Sequence, residues 1–216
     1  MTQDDAARLT EAARDFIRAE AQALSAVATT VDEQFARVAA LLYSRGGKII
    51  LAGAGTSGFM ARRAAHILSV SGTPAVFIHP TEGMHGSVGA VQPDDLVIAI
   101  SKGGGSDELN TFVTLAKHEG VPVVAITARS ESPLAELADE VVVLPVDSEA
   151  DPGGIIAMGS TLSHAAWLDA LAYVLMRARG YGWDEVLFTH PGGAVGRLRD
   201  LPAPLEPLRV PGIEAI

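Results

Sequence analysis

Residues Leu96–Asn110 read LVIAISKGGGSDELN. Leu96–Ile100 is an unbroken apolar run with β-branched members, the pattern of a strand buried on both faces. Glu108–Glu119 follows with Leu109, Phe112, Val113 and Ala116 at helical spacing on one face. Between strand and helix, Gly103, Gly104 and Gly105 remove side chains where the chain must turn. Ser106 is placed to N-cap the new helix, with Asp107 and Glu108 in its first turn. Amides at such a turn point outward, and an anion is their natural partner; Ser101, Ser106 and Lys102 add donors. A tight strand-to-helix turn and an anion cradle are equally open readings of this stretch alone.

A second turn of the same kind shifts the balance. Lys48–Leu51 (KIIL) leads into Ala52–Gly58 (AGAGTSG), and Phe59–Val70 then has helical spacing. Gly53, Gly55 and Gly58 form a GxGxxG pattern, a weak dinucleotide signal on its own. A nicotinamide site also wants an acidic residue at the end of the second strand. Ala75–Ile78 ends instead in His79-Pro80, with Glu82 beyond. Thr56 and Ser57 are hydroxyls at a helix start, which suits a single phosphate better than a pyrophosphate. Two hydroxyl-rich turns at strand ends point to a phosphorylated small molecule between them.

The elements outward from these turns alternate. Strands are expected at 48–53, 75–78, 96–101, 121–127 and 141–145, and helices at 57–71, near 84–91, at 107–119 and at 132–137. Alternation of this kind implies a right-handed, doubly wound parallel sheet. Two amphipathic helices, Thr2–Ala28 and Thr30–Ser44, precede the first strand, and the first is expected to pack on another subunit. Gly159–Ala178 reads as one long helix, Trp183–Phe188 as a short one, and Leu201–Ile216, with four prolines, as an extended or disordered tail. The expected organisation is one domain over 1–200, with an N-terminal helical extension over 1–45 and a tail over 201–216.

Composition narrows the function classes. The 216 residues carry a net charge of −10 and no basic cluster, so nucleic acid is an unsuitable partner. No apolar run approaches the ~20 residues of a membrane helix, and the acidic start does not read as a signal peptide. The absence of cysteine excludes disulfides and thiolate metal sites. A cytoplasmic enzyme or sensor is expected.

Three acid–base candidates fall in loops: His85 in Pro80–Gly89, Glu149 in Val146–Pro152, and His190 in Thr189–Gly196. Loops at the carboxyl ends of strands are where such folds bind ligands. Each also has a bland reading: a loop histidine, a solvated acidic loop and a helix end. Glu108 suits the helix dipole whether or not it takes part in catalysis. His66 and His164, on helices with apolar periods, read as structural, and His118 as a solvated helix end. No metal-binding spacing and no nucleophile elbow is present.

These motifs together resemble the sugar isomerase (SIS) domain, and within it the D-arabinose-5-phosphate isomerase branch. The pieces that carry the resemblance are GAGTSG at 53–58, HPTEGMHGSVG at 79–89, ISKGGGSDEL at 100–109, VDSEADP at 146–152, MGSTLSHAAWLDALA at 158–172 and THPGGAVGRL at 189–198. The resemblance implies a flavodoxin-like, three-layer α/β/α fold on a five-stranded parallel sheet, assembled as a homotetramer. It places the phosphate on Thr56, Ser57, Ser101 and Ser106, with Lys102, Ser160 and Thr161 as further contacts. It places Glu149, His190, His85 and Glu108 at active-site positions, with His190 contributed across a subunit contact. Thr56 stands where arabinose-5-phosphate isomerases carry lysine, and Gly103 where they carry a second serine, so the sugar itself stays open. The short members of the family without CBS domains are the nearer likeness.

The implied reaction is aldose–ketose isomerisation of a sugar phosphate through a cis-enediol, which needs two proton-transfer groups and no metal or redox cofactor. Glu149 is the first choice of base, and His190 or His85 of the shuttle between O1 and O2. The rival reading is a sensor module that binds a sugar phosphate without turning it over; an isomerase of a different phosphosugar is the other.

Overall fold

The computed structural model describes residues 2–210. Helix α1 (Gln3–Ala28) starts at Thr2, whose hydroxyl accepts from the Asp5 amide while the Asp5 carboxylate accepts from the Thr2 amide. This capping box satisfies two otherwise orphaned donors. Helix α2 (Glu33–Tyr43) starts at Asp32, which accepts from the Gln34 amide. Strand β1 (Ile49–Gly53), α3 (Gly55–Val70), β2 (Ala75–Phe77) and α4 (Pro80–Met84) follow, then β3 (Leu96–Ile100) and α5 (Asp107–His118). Strand β4 (Val123–Thr127), α6 (Pro133–Leu137), β5 (Glu140–Val143), α7 (Gly159–Ala178) and α8 (Trp183–Thr189) complete the order.

The five strands are all parallel, in spatial order β2-β1-β3-β4-β5. Every residue of β1, β3 and β4 is buried. That is why these strands read as unbroken apolar runs: helices cover both faces. On one face α1, α2, α3 and α7 enclose Ile49, Leu51, Ile98, Ile100 and Ile126; on the other α5 and α6 enclose Ile50, Ala52, Val97, Ala99 and Ala125. Each fully buried Ile or Leu contributes roughly 1.5–3 kcal/mol relative to exposure. Phe35 of α2 meets Trp167 of α7 edge to face, with ring centroids 5.1 Å apart. The N-terminal helices therefore join the same core as the sheet.

Several details differ from the sequence reading. The helix expected near 84–91 begins earlier: Pro80 occupies the first turn of α4, where its missing N–H costs nothing, and His79 Nδ1 accepts from the Thr81 amide. Only a 3₁₀ turn, Ser87–Ala90, occupies the expected place. His66 lies exposed on α3 instead of packing in the core. The tail is extended over 201–210 but docked: Trp183 Nε1 donates to the Ala203 carbonyl and Arg177 Nε to that of Glu206. Residues 211–216 of the expected tail lie outside the described residues. In α1, Leu9 and Ile17 are exposed while Ala23 and Val27 are buried, so its N-terminal half carries apolar side chains that the single chain does not cover.

Candidate active site

Strand order 2-1-3-4-5 makes β1 and β3 neighbours whose connections leave in opposite directions. A crevice opens outside the carboxyl ends of two such strands. Gly53 and Ile100 are register partners at those ends, so the turns that follow them face one another. In the first turn, a Cβ on Gly58 would lie 2.6 Å from the Gly53 carbonyl oxygen, so only glycine lets α3 start this close to its strand. In the second, Gly104 has φ +68°, and a Cβ there would run into the Ser132 side chain. The Ser101 hydroxyl accepts from the Gly104 amide at 3.1 Å and lies 3.3 Å from the Ser106 hydroxyl. Ser106 therefore faces Ser101 and does not cap α5 through its side chain, contrary to the sequence reading.

The helix starts divide into two groups. Thr2, Asp32, His79 and Ser132 accept from first-turn amides of α1, α2, α4 and α6. Asp151 does the same at the start of α7, accepting from Met158 and Ser160 at 2.8 and 3.0 Å. The N-terminus of α8 holds Glu185, which accepts from the Gly182 amide. At α3 and α5 no side chain caps the first turn. These two uncapped N-termini flank the crevice, and each presents outward amides and the positive end of a helix dipole. Thr56 is exposed and Ser57 half-buried at one; Ser106 and Glu108 are half-buried at the other. An anion suits this pair of helix ends.

Ser160 and Thr161 are placed differently. Both are buried, the Thr161 hydroxyl donates to the Met158 carbonyl at 2.7 Å, and the α7 N-terminus already holds the Asp151 carboxylate. Lys102 is engaged too: its ammonium donates to Asp151 Oδ2 at 2.7 Å and to the Gly154 carbonyl at 3.1 Å. Burial alone would raise the Asp151 pKa; Lys102 and the amides at the start of α7 overcome it and hold the carboxyl at about 2. Asp151, which sequence reading passed over as one acid in a polar loop, is the fully buried member of that loop. No periodicity marks it, because its partners come from another strand end and from a helix start.

The acid–base candidates occupy two ends of the molecule. Glu149 is exposed in the loop after β5, its amide donating to Asp147 Oδ1 at 2.9 Å. His85 is exposed at the end of α4. With Glu108, both follow carboxyl ends of strands. A groove of about 470 Å³ at this end lies between Lys102-Gly103, Ala128-Arg129 and Gly154-Ile155, on the β3–β4–β5 side of the sheet, and none of the three candidates lines it. His190 is elsewhere. Helix α7 starts at this end and spans about 30 Å, and Arg179 just beyond it bonds Thr73 and the Leu42 carbonyl at the entry ends of β2 and β1. The short α8 departs from there, so His190 does not join the other candidates within one chain. Its Nδ1 lies 2.7 Å from the Val186 carbonyl oxygen. A carbonyl only accepts, so Nδ1 carries the proton and Nε2 of the neutral ring is left as a base. Among the described residues no three His, Asp or Glu side chains gather to hold a metal ion, and no helix is long and apolar enough to cross a membrane.

Comparison with known proteins bears on the family and the fold. The SIS domain family model matches residues 41–173. The chain is 35% identical over 187 residues to arabinose 5-phosphate isomerase KdsD of Escherichia coli K12, covering 87% of this chain and 57% of the relative. It is 35% identical over 178 residues to the KdsD of Pseudomonas aeruginosa, covering 82% and 55%. The chain thus spans somewhat over half the length of these curated relatives. Among solved structures, E. coli CFT073 c3406 in complex with arabinose 5-phosphate superimposes with a TM-score of 0.81 at 32% identity, covering 88% of this chain and 100% of that one.

Proposed function

The chain belongs to the SIS domain family, and from that premise we propose that it is a phosphosugar aldose–ketose isomerase of the arabinose-5-phosphate/ribulose-5-phosphate type. The observation that carries the reading is the pair of uncapped helix N-termini facing each other across the β1/β3 crevice. Their amides, with Thr56, Ser57, Ser101 and Ser106, form the phosphate cradle. Binding the phosphate there holds the sugar's C1 and C2 near the loops that carry Glu149, His85 and Glu108, and converts remote binding energy into alignment.

In the reaction, Glu149 removes the C2 proton of the open-chain aldose. The electron pair forms the C1–C2 double bond of a cis-enediol as O1 takes up a proton. Glu149 then returns its proton to C1 as the O2 proton leaves, so no atom or electron is gained or lost. A histidine carries the proton between O1 and O2. His190, with Nε2 as its free acceptor and its place at the far end of the sheet, suits this role when supplied by a neighbouring subunit; His85 is the candidate from the same chain. The neighbour also closes the site over Glu149, which a single chain leaves open to water. The exposed Leu9 and Ile17 of α1 support assembly, and we assign a homotetramer. A cytoplasmic setting, expected from the composition, is part of this proposal.

The test is proton exchange in D₂O with arabinose, ribose, xylulose, fructose and erythrose phosphates, followed by NMR at C1 and C2. Loss of the C2–H signal on one of them is expected. Glu149→Gln should slow exchange at least on the order of 10²-fold while the sugar phosphate still binds. Binding with no exchange on any sugar would replace the enzyme by a sensor. A fully active Glu149→Gln would remove Glu149 as the base.

A further inference from the structure

One buried carboxylate ties its own loop and the start of α7 to a strand-end turn 49 residues away. Asp151 has no exposed surface. Its Oδ2 accepts from Lys102 Nζ at 2.7 Å, and its Oδ1 accepts from the Met158 and Ser160 amides at 2.8 and 3.0 Å. Lys102 sits between Ser101 and Gly103 in the glycine-rich turn, and it also donates to the Gly154 carbonyl at 3.1 Å. Glu149 lies two residues before Asp151, in a segment folded on itself by the Asp151 amide to the Asp147 carbonyl at 3.1 Å and the Glu149 amide to the Asp147 carboxylate at 2.9 Å.

We propose that Lys102 and Asp151 are positioning residues whose ion pair fixes the Glu149 loop against the Ser101–Ser106 turn. The pair sets the distance between the proton-transfer group and the phosphate cradle. This rests on the isomerase reading above. The chemistry of the pair suits positioning better than stability. Removing two charges from water offsets much of their attraction, so a buried ion pair is a weak source of net stability, whereas losing one partner strands a charge. What the pair supplies is direction, and both segments need it. The turn holds three consecutive glycines, and the Glu149 loop runs into Gly153 and Gly154, both at positive φ. Backbone bonds anchor each separately: Ser101 and Lys102 pair with Ile126 and Ala128 beside β4, and the Glu149 loop is held by the short turn at Asp151–Gly154 and by the Gly159 amide on the Ala150 carbonyl. Among the described residues no backbone bond runs from one segment to the other. A displacement of about 1 Å at a catalytic group costs on the order of 10²-fold in rate.

The experiment compares Lys102→Met with Lys102→Met/Asp151→Asn in the full chain. In the double variant no buried charge remains, and the Asn carbonyl still accepts from Met158 and Ser160. Thermal unfolding, kcat and KM on arabinose 5-phosphate, and amide hydrogen exchange over 101–106 and 147–158 are measured. The expected double variant melts near the wild-type temperature, retains its KM, loses kcat on the order of 10²-fold, and exchanges faster in both segments together. Wild-type kcat in the double variant would reduce the pair to a structural contact and overturn the proposal. A raised KM at unchanged kcat would overturn it in favour of Lys102 as a phosphate ligand. Unchanged exchange over 101–106 would overturn the tie itself. Should the wild type turn over no sugar phosphate, the isomerase reading is what fails, and the exchange measurement alone decides whether the tie exists.

Discussion

Acidification should destabilise the fold through one histidine well before carboxylate protonation matters. His164 is 1% exposed on α7, and its Nδ1 has no hydrogen-bond partner. Burial is the main reason its pKa falls to about 4; nearby Asp151 opposes the fall and Lys102 adds to it. Between pH 6.5 and 4 the unfolded chain binds a proton at this residue that the native chain refuses. Stability therefore drops as pH falls through that window. At 1.36 kcal/mol per unit, the loss by pH 5 is about 2 kcal/mol, rising to about 3 kcal/mol at pH 4. Asp151 has the opposite history: with its pKa lowered to about 2, its contribution is intact at pH 5 and disappears as pH falls from about 4 toward 2. The two groups are thus separated by pH. Urea unfolding of the wild type and of His164→Leu at pH 7.5 and 5.0 gives the test as a difference of differences, which cancels every other titrating group. The wild type should lose about 2 kcal/mol more than the variant. Equal losses, or an imidazole found protonated in the native protein at pH 5 by NMR, would refute the argument.

Two adjacent glycines of the turn after β3 should respond unequally to a single methyl group. Gly104→Ala meets both a positive φ and the Ser132 side chain and should cost about 2 kcal/mol or more in chemical denaturation, whereas Gly103→Ala, with open space around it, should cost well under 1 kcal/mol; similar losses would sink the packing account of this turn. Thr56→Val combined with Ser106→Ala should raise KM and weaken competition by inorganic phosphate while leaving kcat nearly unchanged. A kcat effect without a KM effect would move these hydroxyls from the phosphate to the reacting carbons.

What the sequence made legible depended on how local the cause was. Leu96–Ile100 could be read as a strand because burial on both faces demands an apolar residue at every position, and the structure buries all five. The long helix at Gly159–Ala178 could be read to the residue because glycines bound it and none interrupts it. The signal for the helix after β2 is local too and lies ahead of the expected 84–91: Pro80 behind His79 marks a first turn. Ser106 read as a cap because serine before two acids is a local pattern; the competing partner was Ser101, brought close only when the turn closed on the Gly104 amide. Asp151 was wholly illegible, since its burial depends on a lysine 49 residues away and on the start of α7. The candidate site divides along the same line. The phosphate turns declare themselves through glycine and hydroxyl residues that are neighbours in sequence. The arrangement of the proton-transfer groups does not, because Glu149 is held through Asp151 and His190 lies at the opposite end of the sheet. A chain of this fold can therefore reveal in its sequence which turns suit an anion, while the placement of its acid–base side chains rests on tertiary ties that no local pattern records.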